Sequence, residues 1–122
     1  MSDLKTFVPK NTTELVNAIK ADISGSFGEW WKSNKSAITG HLKVVAQSAL
    51  ETQKSLIKGH ISQELADIAI QAQKAAFRQI LRHTKLMTLA LLQNIVNTVF
   101  RRIGWAIFNK TKVNFFPELV ET

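Results

Sequence analysis

Three histidines, His41, His60 and His83, are the side chains of this sequence best suited to proton transfer or metal ligation near neutral pH. Only His60 has a partner at a useful spacing: Glu64 stands four residues on, one helical turn away on the same face. Two ligands do not hold a metal ion, and the Glu-x-x-His pairs that build di-iron bundles are missing. With no cysteine in 122 residues, disulfides, thiolate metal sites and a thiol nucleophile are excluded. No glycine-rich phosphate loop, H-E-x-x-H or G-x-S-x-G occurs. From Ile68 to Pro117, His83 is the only residue suited to acid–base work in a dry pocket. The chain is therefore expected not to be an enzyme, with no catalytic residue, metal, cofactor or small-molecule substrate.

The chemistry that remains is electrostatic. Residues 1–67 hold eight basic and seven acidic side chains, close to balance. The next 50 residues hold eight basic ones (Lys74, Arg78, Arg82, Lys85, Arg101, Arg102, Lys110 and Lys112) and no carboxylate. Such a block attracts something anionic: phospholipid headgroups, nucleic acid or an acidic protein. Lys74, Arg78, Arg82 and Lys85 recur at i, i+4, i+8 and i+11, a basic stripe along one helix that can contact phosphates. Stacking aromatics do not alternate with it, and no zinc finger or clear helix-turn-helix is present, so nucleic-acid binding by this stripe would be nonspecific and salt-dependent. The same side chains suit an anionic membrane, at about 1 kcal/mol each near the surface.

Tryptophans are placed as membrane-interface anchors are. Trp30 and Trp31 stand beside Lys32 and Lys35, and Trp105 and Phe108 stand among Arg101, Arg102 and Lys110. In a soluble protein the same residues would cap the ends of a hydrophobic core.

The elements that carry these residues are helical. A chain of this length is normally one domain, and 45% apolar residues are ample for a core. Pro9 and Pro117 lie near the two ends, so proline bars nothing between them from helix. Residues 1–10 read as an extended arm. Asn11 and Glu14 form the N-x-x-E version of a capping box and open a short helix over 12–24. Gly25 and Gly28 interrupt it, and Ser33 to Ser36 offer the next set of caps. A long helix then runs over 36–83, rich in Ala, Gln, Lys, Leu and Glu. Ile38, Leu42, Val45, Ala49 and Leu56 form a coiled-coil-like seam, and further on Ile57, Ile61, Leu65, Ile68, Ala72 and Ala76 run nearer an eleven-residue rhythm. A second, weaker stripe (Ile70, Phe77, Leu81) lies on roughly the opposite side, so this helix needs neighbours on both sides. Unbroken, it would measure roughly 70 Å. Either Gly59 breaks it into two antiparallel helices, or the protein is elongated and self-associates.

Residues 86–108 form the most apolar segment. No charge falls between Lys85 and Arg101, a run of fifteen residues and about 22 Å of helix. Gln93, Asn94, Asn97, Thr98 and Arg101 share one side of the wheel. Leu89, Leu92, Ile95, Val96, Val99, Phe100, Ile103, Ala106 and Ile107 cover the other. Three readings compete: the central helix of a soluble bundle, a helix lying in a membrane interface, or one spanning the bilayer with its amides facing sister helices. A tail over 109–122 follows.

The sequence thus predicts an all-α chain of one domain (1–122), an elongated hairpin or small bundle with one long coiled-coil-like helix and a C-terminal amphipathic hydrophobic helix. Its expected role is structural: a homo-oligomer or part of a larger assembly, such as a virion or a membrane-bound complex, self-associating through the long helix. The expected membrane or partner interface comprises Trp30, Trp31, Leu89, Leu92, Val96, Val99, Phe100, Ile103, Trp105, Ile107 and Phe108, with Asp at Val96 and Ile103 abolishing association. Lys74, Arg78, Arg82, Lys85, Arg101 and Arg102 are the expected contacts to an anionic surface. No signal peptide is visible at the N-terminus, and peripheral or shallow membrane association is expected. The alternative is a cytoplasmic, soluble basic bundle that binds nucleic acid or an acidic partner.

Overall fold

Asn11 opens the first helix through its side chain. In the computed structural model, which describes residues 3–121, Asn11 Oδ1 accepts the Glu14 N–H at 2.9 Å and Glu14 Oε1 accepts the Lys10 N–H at 2.8 Å. Helix α1 runs Thr12–Ser26 and carries Gly25 within it; the chain turns at Phe27 alone, and α2 spans Gly28–Ile57. The caps expected at 33–36 are therefore interior to α2. A helical register already running from Gly28 leaves their backbone groups satisfied, and Asn34 turns inward instead.

Gly59 settles the fate of the long helix. Its φ of +75° is open to glycine at little cost, and it closes a Schellman turn. The Gly59 N–H donates to Leu56 O at 3.1 Å and the His60 N–H to Ser55 O at 2.8 Å. Ser62 then caps α3 (Gln63–Leu81), its Oγ accepting the Leu65 N–H at 3.1 Å. The expected helix over 36–83 is thus parts of two helices. Thr88 caps α4 (Leu89–Thr111) in the same way, with Oγ1 accepting the Leu91 N–H at 3.1 Å. Lys112, left-handed at φ 65°, ends it by donating its N–H to Phe108 O at 2.7 Å.

These helices pack as a four-helix bundle, with no strand among the described residues. α1 lies against α2 and α4, α3 closes the other side against the same two, and α2 also meets α4. Amphipathic faces dictate this. Leu15, Ile19 and Ile23 of α1, Ile38, Leu42 and Ala49 of α2, and Ile70, Phe77 and Leu81 of α3 are fully enclosed. They surround Ile95, Val96, Val99, Phe100 and Ile103 of α4. Phe100 sits between Phe77, at a centroid distance of 6.2 Å, and Phe116, at 5.7 Å in an edge-to-face pair.

Both chain ends depart from expectation. The arm contains a short 3-10 helix, Asp3–Thr6, and is held by Asn109, whose Nδ2 donates to Leu4 O at 2.8 Å and Phe7 O at 2.9 Å. The first two residues of that arm and the last of the tail lie outside the described residues. The tail is part of the core: Phe115, Phe116, Leu119 and Val120 are buried. Asn114 shapes it, accepting the Phe116 N–H at 3.1 Å and donating to Val120 O at 2.9 Å. The backbone of Gly104 lets it approach α4. A Cβ there would stand 2.8 Å from Val120 Cγ2 and 3.1 Å from Phe116 Cδ2. Both neighbours are enclosed and cannot swing aside, so Gly104→Ala is expected to lower stability by about 1–3 kcal/mol despite alanine's better helix propensity. A urea melt of the variant checks this.

Candidate functional site

The wide apolar face of α4 is covered by the chain itself. Leu92, Val96, Val99, Phe100, Ile103, Trp105 and Ile107 are all buried, and Phe108 is half-buried. Trp30 and Trp31 are buried too. Their assignment as an exposed membrane or partner interface is corrected accordingly. In this fold α1, α2, α3 and the C-terminal segment supply the apolar environment that lipid or a partner was expected to supply. Leu89 is the exception, standing 71% exposed at the start of α4. Among the described residues no helix is long and apolar enough to cross a membrane.

Arg102 is corrected as well. Expected at a headgroup, it is 6% exposed and grips Asp22 of α1 in a bidentate pair, Nε to Oδ2 and Nη2 to Oδ1 at 2.7 Å each. Asp3 Oδ1 accepts from Nη1 at 3.2 Å, and the Phe7 ring lies 4.8 Å from the guanidinium carbon. The hydrogen bonds to Asp22 raise its pKa above the ordinary arginine value, outweighing the opposing effect of burial. Arg101, its neighbour, is half-exposed and lines a small cleft with Leu4, Ser26 and Thr98.

The basic stripe is divided between internal and free members. Lys74 pairs with Glu118 at 3.8 Å and lies over the Phe116 ring. Arg78 donates to Gln93 across the α3–α4 interface. Arg82 and Lys85 are exposed, and both belong to the turn joining α3 to α4.

That turn, residues 82–88, is the best-defined functional candidate. Asn34 clamps it from α2: its Oδ1 accepts the Lys85 N–H and its Nδ2 donates to Lys85 O, both at 3.1 Å. Trp30 Nε1 reaches Thr84 Oγ1 at 3.4 Å, and Thr84 Oγ1 donates to Leu81 O at 2.7 Å. Held there, the chain turns at Leu86 with φ +61°, a left-handed conformation that a leucine adopts at a cost of about 1–2 kcal/mol. Leu86 is 68% exposed, so the clamp presents a leucine rather than burying it. Leu86 and Leu89 are the two most exposed large apolar residues of the described chain; Lys85 directly precedes Leu86, and Arg82 stands four residues before it. Beside the turn, His41 and His83 line an open groove of about 480 Å³ with Ile38 and Ile80. His60 and Glu64 are both exposed, and no group of three or more potential metal ligands occurs among the described residues.

The sequence places Asn34 among the caps at 33–36 and Leu86 at the start of the apolar segment, and it signals neither the inward clamp, the exposed turn nor the close approach at Gly104. Asn34 stands one turn after Trp30, a spacing that marks one face of a helix but not which residue beyond the chain's next turn it meets. No protein-family model, no curated protein and no solved structure matches this chain.

Proposed function

We propose that the protein is a non-enzymatic assembly component that seats on an anionic membrane surface through the turn between α3 and α4, with the bundle itself remaining folded above the lipid. The observation that carries this reading is the exposure of Leu86 and Leu89 beside Arg82 and Lys85. Leucine flanked by lysine and arginine suits headgroup depth, where the apolar group enters the acyl boundary and the cations meet phosphate. The seat replaces the whole apolar face of α4 by its first turn and the loop before it.

Magnitudes favour reversible attachment. Two leucines at about 1.5–3 kcal/mol each and two cations at about 1 kcal/mol each give roughly 5–8 kcal/mol before the cost of immobilisation. Anchoring of that size responds to salt and needs a second copy or a second contact to persist. The nucleic-acid reading is less well supported. Two of the four stripe cations, Lys74 and Arg78, have partners within the chain, and exposed leucines add nothing to phosphate binding.

Co-sedimentation with vesicles tests the seat. Binding is expected to vesicles containing phosphatidylserine, to be weaker on phosphatidylcholine alone, and to fall as salt rises. Leu86→Ser with Leu89→Ser is expected to weaken it roughly a hundredfold, at about 1.5 kcal/mol per leucine, without altering the melt. Equal binding of wild type and double variant would remove the seat from this turn.

A further inference from the structure

The outward side of α3 is apolar where a solvated helix is polar. Leu65 is 56% and Ile68 62% exposed, and Ala72, Ala75 and Ala76 are exposed as well. At about 100° per residue these five and Gln79 occupy one strip about 100° wide, opposite the buried Ile70, Phe77 and Leu81. Of the two stripes on this segment, the weaker is the one the bundle buries. The stronger lies on the surface, uncovered by the other described residues.

We infer that this strip is covered by α3 of a second copy of the same chain, packed antiparallel about a two-fold axis near Ala72. Two features of the strip select that occupant. Size is the first. Leu65 and Ile68 lie in its N-terminal half, and Ala75, Ala76 and Gln79 in its C-terminal half. An antiparallel copy lays Ile68 of each helix over Ala76 of the other, a large side chain on a small one, and Leu65 along the methylene stem of Gln79, while Ala72 at the centre lets the backbones close.

Charge is the second feature. Along one edge of the strip stand Glu64 at the start of α3 and Arg82 just past its end. In an antiparallel two-fold pair the same edge of both helices lies on the same side. Glu64 then meets Arg82 of the copy, once at each end, giving two identical pairs of opposite charges. A parallel pair would bring each charged edge against the uncharged edge of its partner. In the single chain Arg82 reaches only Gln79, at 3.5 Å, and Glu64 has no salt bridge among the described residues.

The pairing shares Arg82 with the membrane seat but rests on α3 and is measured without lipid. Light scattering coupled to gel filtration of the full chain is expected to give twice 13.7 kDa at micromolar concentration. Ile68→Lys is expected to leave a folded monomer, whereas Leu86→Ser with Leu89→Ser leaves the dimer intact. Glu64→Lys and Arg82→Glu, made singly at low salt, are each expected to raise the dissociation constant about tenfold. Combined in one chain they are expected to restore it to within about threefold, because opposite ends then meet with charges exchanged. Circular dichroism melts confirm that each variant is folded. A monomeric wild type at 100 μM overturns the pairing. So does a dimer that survives Ile68→Lys or is lost with the two leucines of the turn. Failure of the exchanged chain to recover overturns the antiparallel register.

Discussion

Arg102→Ala is expected to destabilise the protein by about 3 kcal/mol, more than any other truncation of a charged residue in the chain. The side chain is enclosed, so its removal strands two carboxylates rather than releasing a solvated cation. Asp22 is a quarter exposed and Asp3 largely exposed, which keeps the penalty toward the lower end of what a fully buried pair would give. Lost with the guanidinium are two short bonds to α1 and the stacking of Phe7, so the N-terminal arm loosens along with the α1–α4 contact. Thermal melting should fall by roughly 10 °C. Arg102→Lys is expected to recover only part of this, because one ammonium cannot reproduce two parallel bonds to Asp22. Arg102→Met with Asp22→Leu is expected to sit near wild type, since exchanging a buried pair for well-packed apolar groups is often neutral. If Arg102→Ala melts like wild type, the residue is free at the surface and the headgroup assignment returns.

Sequence reasoning carried the fold further than the site, for a physical reason. Helix ends depend on neighbours one turn away, so the Asn11 cap and the 3.6-residue rhythm of α1 and α4 are readable in the sequence, which leaves the break at Gly59 open. Which side of a two-sided helix faces inward depends on partners 20 to 50 residues distant. Periodicity gave α3 both of its stripes without saying that Ile70, Phe77 and Leu81 would be the buried set. Tryptophan beside lysine is equally good at a headgroup and at the rim of a core. Trp30, Trp31 and Trp105 took the second course because a bundle of this chain's own helices was available to enclose them. Arg102 was misplaced because Asp22 lies 80 residues away, and adjacent arginines look alike until one of them is turned inward. The Schellman turn at Gly59 was half legible: the glycine alone costs a helix only about 1 kcal/mol, and Ser62 three residues on supplies the restart.

Ile103→Asp is expected to unfold the protein in plain buffer, and its contrast with Leu89→Asp decides how α4 is used. Ile103 has no exposed surface, and its neighbours in the core are apolar. A carboxylate there is either charged without a partner or protonated well above its usual range, and either state costs more than about 4 kcal/mol. A bundle of this size has stability of about 5–15 kcal/mol, so the variant should lose most of its helical circular dichroism signal or melt near room temperature. Val96→Asp should behave the same way, at an equally enclosed position. Leu89→Asp tests the opposite end of the same helix. Leu89 is exposed in the first turn, where a carboxylate also suits the helix dipole, so the fold should be unchanged or slightly firmer while vesicle binding falls. Were α4 a lipid-facing helix along its whole length, Ile103→Asp would leave a helical protein in buffer and abolish only its attachment. Loss of fold at Ile103 together with loss of attachment at Leu89 would place the membrane contact at the tip of α4 and its remaining face inside the bundle.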